Sequence, residues 1–373
     1  MDSGTTIGML LLLLGAICGG CFGLPSKFVS KDTPWETLWG PFFVFVTILI
    51  PTTLFPLIAD GLFATCAAVG MAALLPILIF GFLWGLGSTA LGMSFAFIGL
   101  SLAYAINYGA QIATGGLGPL AIHNRDQIAT THGYIILAGV AVCIAGVAVC
   151  GRGALLREAS QKKPEEAEGA GAKKPQMAKG LTIAFVSGLL CACYSLAYSF
   201  CKPVMDTSMN EFGNAGWKAN FVVAALILWG GALSACGACF YKLTKNKTWD
   251  SLAKPGIGRV LVVAFIMALL HDGAILFYGI GASKLGDLGG AVGYAVFMSF
   301  AIIVGNINGF LTGEWKGASK RSVAWLAAGI LVLIIGVSTL QRGNYMQGQA
   351  KKAAAAKEEP SVGTEAGTPA EKK

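Results

Sequence analysis

Asp272 is the residue of this chain whose surroundings are most favourable for proton chemistry. It lies in an apolar segment, residues 260–280, and is the only Asp or Glu within any of the ten long apolar segments of the sequence. An ionised Asp at the centre of a membrane helix costs about 2.5–3.5 kcal/mol, so intramembrane acids face protein or water and often mark proton or substrate pathways. We expect Asp272 to be a protonatable coupling group or a substrate ligand. The alternative is a structural hydrogen bond to a neighbouring helix.

Two further residues are candidates for proton coupling. His271 precedes the acid and could relay a proton or bind a hydroxyl group. Adjacent residues point about 100° apart on a helix, so the sequence predicts that His271 and Asp272 do not form a hydrogen-bonded pair by themselves. Glu36 could also exchange a proton, although a carboxylate at the start of a helix more often stabilises the helix N-terminus.

A strip of polar side chains in another apolar segment, residues 100–120, suits the binding of a neutral polar solute. Its amide and phenol groups are spaced by three or four residues, so they share one face of a helix and could bind hydroxyl groups. A hydrogen-bond ladder between packed helices explains the same pattern. A tryptophan in the third segment could stack on a sugar ring. The predicted binding residues are Trp84, Tyr104, Asn107, Tyr108, Gln111 and, more weakly, Asn306.

Membrane-spanning helices are the elements that would hold these residues. The chain has 373 residues, of which 55% are hydrophobic and 12% charged, and about 20 apolar residues suffice for one helical crossing. The alternating pattern of a membrane β-barrel is not visible. We predict an all-α integral membrane protein with ten transmembrane helices, at residues 7–24, 37–58, 71–93, 100–120, 133–149, 181–201, 220–241, 260–280, 289–310 and 323–340.

The ten segments divide into two sets of five that resemble each other. Gly92 and Gly99 mark the end of the third segment, and Gly279 and Gly286 recur at an offset of 187 residues. Five crossings reverse the entry side of the second copy, so the sequence predicts inverted repeats, which suit alternating access around a central cavity. The predicted domains are a first repeat (1–151), a disordered cytoplasmic linker (152–179), a second repeat (180–341) and a disordered tail (342–373).

Basic residues locate the two faces of the membrane. The loops after the first, fifth, seventh and ninth segments hold 17 Lys and Arg, whereas those after the fourth, sixth and eighth hold four. Because basic residues accumulate on the cytoplasmic side, both termini are predicted to lie outside the cytoplasm. The net charge of +8 therefore reflects topology. The sequence has no basic domain interleaved with aromatic residues, which is the pattern typical of nucleic-acid binding.

The cysteines and histidines do not predict a cofactor. Ten cysteines lie mostly inside apolar segments, where Cys behaves as a small hydrophobic residue. Two pairs have CxxC spacing, but no histidine cluster completes a metal-ligand set. We expect no metal, no cofactor and no catalytic residue, since a hydrolase needs a nucleophile, a base and an orienting acid at one site.

Several short motifs, taken in order, resemble the bacterial L-rhamnose/proton symporter family of the drug/metabolite transporter superfamily. The resemblance extends over about residues 7–340. It implies a ten-helix, five-plus-five fold and uptake of a deoxy sugar with a proton across the inner membrane. The motifs are Trp35-Glu36-Thr37-Leu38-Trp39, Trp84-Gly85, Gly99-Leu100-Ser101-Leu102, Lys202-Pro203-Val204-Met205, Met298-Ser299-Phe300 and Glu314-Trp315.

The sequence therefore predicts a secondary active transporter for a neutral sugar such as L-rhamnose, coupled to protons and embedded in the inner-membrane lipid bilayer. Three alternatives stay open at this point. They are an exporter of small metabolites, a membrane-embedded hydrolase, and a structural or sensory protein, which would have a packed interior without a cavity. The oligomeric state is not predicted.

Overall fold

Helices make up the regular secondary structure of this protein wherever the computed structural model describes it, at residues 3–123, 125–161, 175–285 and 293–358. No strand occurs in those ranges. Nine of the described helical segments are long and apolar enough to cross a membrane. The prediction of an all-α membrane protein is confirmed, whereas the count of ten crossings stays a prediction.

Thirteen α-helices are described. Short 3₁₀ turns and one π-helical turn, Phe45–Leu49, connect or extend them. The helices are α1 (Ser3–Cys21), α2 (Trp35–Val44), α3 (Ile50–Thr53), α4 (Leu62–Val69), α5 (Met71–His123), α6 (Thr131–Gln161), α7 (Pro175–Cys191), α8 (Cys193–Ala197), α9 (Lys202–Asn210), α10 (Gly216–Asn246), α11 (Ile257–Lys284), α12 (Tyr294–Leu311) and α13 (Lys320–Glu358).

Helix α5 contains two of the predicted crossings. Its 53 residues are interrupted at Gly99, whose φ of 81° and ψ of 174° are not helical. Glycine adopts such angles readily because it has no Cβ. The predicted segments 71–93 and 100–120 lie on either side of this break, as the sequence indicated.

Two described helices continue past predicted domain boundaries, because polar residues extend them beyond their apolar parts. The predicted linker begins at residue 152, but α6 continues to Gln161, and α7 begins at Pro175. The predicted tail begins at residue 342, but α13 continues to Glu358. Linker residues 162–174, tail residues 359–373 and the stretch 286–292, which includes Gly286, lie outside the described residues.

The first helix of each predicted half packs against the third and fourth segments of the other half, as expected if the halves are related. Helix α1, the first of the first half, packs mainly against α11 and α12, the third and fourth long helices of the second half. Helix α7, the first of the second half, packs mainly against α5, which holds the third and fourth segments of the first half. This reciprocal arrangement is the one that an inverted repeat would produce, and the repeat itself stays a prediction.

Helices α6 and α13 form the most extensive helix pair, through glycines that recur every seven residues. A Cβ on Gly146 would lie 2.8 Å from Cγ of Leu333, and one on Gly336 would lie 2.6 Å from Sγ of Cys143. A seven-residue period keeps one face of each helix on its partner, and small residues let backbones approach closely in lipid. The repeating glycines are Gly139, Gly146 and Gly153 on α6, and Gly329, Gly336 and Gly343 on α13.

Gly146→Ala should lower the thermal stability of the purified protein by several degrees. The added methyl group would meet Leu333 at 2.8 Å, and overpacking costs about 1–3 kcal/mol. Gly151→Ala is the matched control, because nothing lies within 4 Å of a Cβ at that position of the same helix. Thermal unfolding in detergent, followed by size-exclusion chromatography, measures both. Equal melting temperatures for the two variants would contradict the proposed close packing.

Candidate functional site

A cavity of about 470 Å³ lies among the helices, with walls from α1, α5, α7, α8, α10, α11 and α12. Its volume is typical of a small-molecule site. Five of the predicted site residues line it, namely Trp84, Asn107, Tyr108, Gln111 and His271. A cavity of this kind is the observation that separates a transporter from the packed interior expected of a structural protein.

Asp272 lies behind His271, and the two form a hydrogen-bonded pair. Nδ1 of His271 is 2.8 Å from Oδ1 of Asp272. The prediction that these neighbours do not pair is wrong, because the helix fixes the Cα–Cβ directions but two side-chain torsions in each residue still bring the ring and the carboxyl group together. Only 4% of the Asp272 side chain is exposed, against 17% for His271, so the imidazole separates the acid from the cavity.

The pair is set in an aromatic and apolar environment. The His271 ring lies 5.4 Å from the ring of Phe22 and 6.2 Å from that of Phe42, edge-on to both, and 5.8 Å from Trp84. The second carboxyl oxygen of Asp272, Oδ2, has no hydrogen-bond partner within the described part of the chain. A buried carboxylate oxygen without a hydrogen-bond partner costs free energy. Protonation of the carboxyl group would lower that cost.

This arrangement can exchange a proton with the cavity. With a neutral imidazole and an ionised carboxylate the pair carries one negative charge, and one added proton makes it neutral overall. Loss of the pair's net charge favours burial in apolar surroundings. The imidazole of His271 lies between the acid and the cavity, where a proton could be exchanged.

The polar strip on α5 is mostly engaged in helix packing. The Tyr104 hydroxyl accepts a hydrogen bond from the Gly23 backbone N–H at 2.9 Å, and the Tyr108 hydroxyl donates to the Gly19 carbonyl at 3.0 Å. Nδ2 of Asn107 donates to Oγ of Ser187 at 2.7 Å. Tyr104 is fully buried and does not line the cavity. Three of the four residues of the strip therefore form hydrogen bonds between packed helices, which was the alternative interpretation of the sequence pattern.

Gln111 differs from the rest of the strip. It lines the cavity, and its side-chain amide makes no hydrogen bond to the protein in the described residues. An amide offers two donors and an acceptor, so Gln111 keeps its full capacity to bind hydroxyl groups of a ligand.

Glu36 is buried at one end of the bundle rather than at the cavity. Its Oε1 accepts hydrogen bonds from Nδ2 of Asn246 at 2.9 Å and from Oγ1 of Thr248 at 2.6 Å. Only 3% of the residue is exposed. These bonds hold the start of α2 against the end of α10.

Glu314 is the centre of a polar cluster that the sequence analysis did not identify. Its carboxylate accepts hydrogen bonds from the backbone N–H groups of Leu100, at 2.7 Å, and Ser101, at 3.1 Å, and lies 3.0 Å from Nζ of Lys27. Backbone N–H groups at a helix start need acceptors, and negative charge is favoured there. The carboxylate thus caps the helix that begins after Gly99.

Neighbours of Glu314 extend the cluster across the same end of the bundle. Oγ of Ser101 donates to Oδ1 of Asn306 at 2.5 Å and accepts from Nε1 of Trp315 at 3.1 Å. The buried guanidinium of Arg157 donates to the Ile98 carbonyl at 3.1 Å and stacks on Trp315 at 5.0 Å. Asn306, predicted to bind substrate, is placed in this cluster and not in the cavity.

An aromatic cluster closes the cavity toward that end. Phe22 lines the cavity, and its ring lies 6.1 Å from Phe42, 6.1 Å from Phe95 and 5.7 Å from Tyr104. All four are buried. The remaining lining continues toward the opposite end, where α10 and α12 begin.

The second half contributes cavity residues that the sequence analysis did not identify. None is an acid, and none belongs to a long polar stripe, so only their position at the starts and ends of apolar segments could have identified them. They are Tyr194, Ser195, Tyr198, Trp217, Asn220, Tyr278 and Tyr294. The ten cysteines are free thiols, and the described residues contain no group of three metal-ligating side chains.

Apolar helices long enough to cross a membrane, arranged around an aromatic cavity that carries a few polar side chains, are the features of a multi-pass membrane transporter. Comparison of the sequence with known families identifies which kind of transporter it is. The chain belongs to the L-rhamnose-proton symport protein (RhaT) family, whose sequence model matches residues 1–345. The predicted family is confirmed, and the family is one of symporters, not enzymes.

Relatives support this assignment along nearly the whole chain. It is similar to L-rhamnose-proton symporters of Citrobacter koseri, Escherichia coli and Salmonella typhi. Each is 29% identical over 350 residues, covering 92% of this chain and 99% of the relative.

Glu314→Ala should lower the melting temperature in detergent, and Glu314→Gln should lower it less. Alanine leaves two backbone N–H groups and Lys27 without their acceptor, a loss of about 1–3 kcal/mol for a buried group, whereas glutamine keeps one acceptor oxygen. Glu211→Ala is the control, since Glu211 is exposed. A Glu314→Ala variant as stable as this control would show that the cluster does not hold the closed end.

Proposed function

We propose that this protein takes up L-rhamnose, or a closely related neutral sugar, together with a proton across the inner membrane. The family and the names of its relatives support the sugar and the coupling ion. The observation that carries the proposal is the cavity whose wall bears His271, hydrogen-bonded at 2.8 Å to the buried Asp272. An anionic substrate would need a different lining, because no Lys or Arg is among the described residues around this cavity.

The binding residues that the geometry favours are Trp84, Gln111 and His271, with Asn107 and Tyr108 shaping the wall. Trp84 and His271 lie 5.8 Å apart, and an indole face suits the apolar face of a sugar ring. Gln111 supplies a free amide for hydroxyl groups. Sugar and proton thus bind next to each other.

Coupling follows from the charge of the pair. An unprotonated His271–Asp272 pair keeps one negative charge beside the cavity. In the empty carrier the water left in the cavity hydrates this charge, whereas bound sugar displaces that water and leaves the charge poorly solvated at a high cost. Protonation removes the charge, so the carrier moves between its two access states when it holds both sugar and proton or neither, through alternating access of the two halves.

The closed end is assigned to the cytoplasm and both termini to the outside. Loops that the basic residues place in the cytoplasm meet at the Glu314 end, where Lys27 pairs with Glu314 and Nε2 of Gln161 donates to the Lys316 carbonyl at 2.9 Å. Positive charge accumulates on the cytoplasmic side. The structure then corresponds to an outward-facing state, ready to receive sugar from outside.

Asp272→Asn should abolish proton-driven accumulation of radiolabelled L-rhamnose in proteoliposomes while exchange of internal for external sugar continues. Asparagine keeps the size and a hydrogen bond to His271 but cannot take up a proton, and exchange needs no net proton movement. The matched control is Asp32→Asn, a change at an exposed position, which should accumulate sugar like the wild type. Wild-type accumulation by Asp272→Asn would remove the acid from the coupling mechanism.

His271→Gln should raise the KM for L-rhamnose uptake and weaken the dependence of uptake on external pH, because it removes the proposed entry point of the proton. Glutamine can still hydrogen-bond Asp272 and face the cavity, but it has no basic nitrogen. Initial uptake rates over a range of external pH around neutrality measure the effect. A pH profile like that of the wild type would exclude the imidazole as the proton's entry point.

A further inference from the structure

The cavity is longer than one monosaccharide. At its inner end, the Trp84 ring packs against Gly231 of α10, where a Cβ would lie 2.7 Å from the ring. At its outer end, α10 contributes Trp217, Asn220 and Phe221 from its first two turns. Asn220 and Gly231 are eleven residues apart, or about 16 Å along a helix that rises about 1.5 Å per residue. A sugar held beside Trp84 and His271 therefore does not reach Asn220.

The outer part of the cavity has the groups that bind neutral sugars. Trp217 and Asn220 are three residues apart, so they share one face of α10. The Asn220 amide has no hydrogen-bond partner in the described part of the chain, and Trp217 is half-buried. An aromatic ring beside a free amide offers a stacking surface and hydrogen bonds together.

The wall from α11 and α12 is also aromatic. Tyr278 and Tyr294 line the same cavity, with ring centroids 6.1 Å apart in an edge-on arrangement. No charged side chain is among the described residues that line this outer part. Lys218, the nearest cation along α10, has its own partner in Asp60 at 3.7 Å. The surroundings thus favour an uncharged ligand with several hydroxyl groups.

We propose that Trp217, Asn220, Tyr278 and Tyr294 form an outer sugar-binding subsite, distinct from the inner subsite of Trp84, Gln111 and His271. This inference rests on the proposed uptake of L-rhamnose. The outer subsite captures the sugar at the open end, and the sugar then moves about three helical turns inward to the site beside the proton-binding pair. A protein with both subsites binds two sugars per chain in the outward-facing state.

Equilibrium binding of radiolabelled L-rhamnose to the purified full-length protein tests the subsite directly. The wild type should bind two molecules per chain, and Asn220→Ala and Trp217→Ala should each bind one. Asn210→Ala is the matched control, because Asn210 is exposed on α9, and it should bind two. Saturation of the wild type at one molecule per chain, or unchanged binding by both variants, overturns the outer subsite.

Uptake kinetics separate a binding role from a role in folding. Asn220→Ala should raise the KM for L-rhamnose about fivefold or more with the maximal rate retained, and Trp217→Phe, which keeps an aromatic surface, should restore most of the affinity lost in Trp217→Ala. A lowered maximal rate with unchanged KM would indicate a structural role and contradict the proposal. Wild-type uptake with one bound sugar would refute the outer subsite alone, whereas a wild type that neither binds nor transports L-rhamnose would refute the proposed function.

Discussion

A carboxyl group enclosed in an apolar bundle is the constraint on which the rest of this structure depends. Asp272 is almost completely buried, and its described polar contact is with His271. An isolated charge in such a place is strongly disfavoured, so its protonation state is tied to what surrounds it. The imidazole links the acid to the cavity, and the aromatic rings of Phe22, Phe42 and Trp84 limit the water around it. The proposed coupling between binding at the cavity and protonation of the acid rests on this electrostatic constraint.

Closure of one end is the second requirement, because a proton-binding group open to both sides would leak protons. The aromatic cluster around Phe22 and the polar cluster around Glu314 meet this requirement in two layers. Glu314 joins Lys27, on one side, to the helix start at Leu100 on the other. Such contacts can be broken and reformed as a unit, which suits a boundary that opens in one access state and seals in the other.

Much of this organisation could be predicted from the sequence, and the failures have physical causes. Asp272 was identifiable because a lone acid contrasts with its apolar segment, and Gln111 because helical spacing defines a polar face. The His271–Asp272 bond was not, since it depends on side-chain torsions that spacing does not fix. Trp217 and Asn220 look like ordinary helix-start residues, and only the packing of α10 against the other half brings them to the cavity. The extensions of α6 and α13 were missed because their ends are polar.

Proton movement driven by the sugar itself tests the central claim most directly. L-rhamnose is added to proteoliposomes in weak buffer without an imposed pH gradient, and the external pH is recorded with and without a protonophore. Coupling through the His271–Asp272 pair predicts a sugar-dependent rise in external pH for the wild type and none for Asp272→Asn, although the variant still binds the sugar. An equal rise for both proteins would contradict the account.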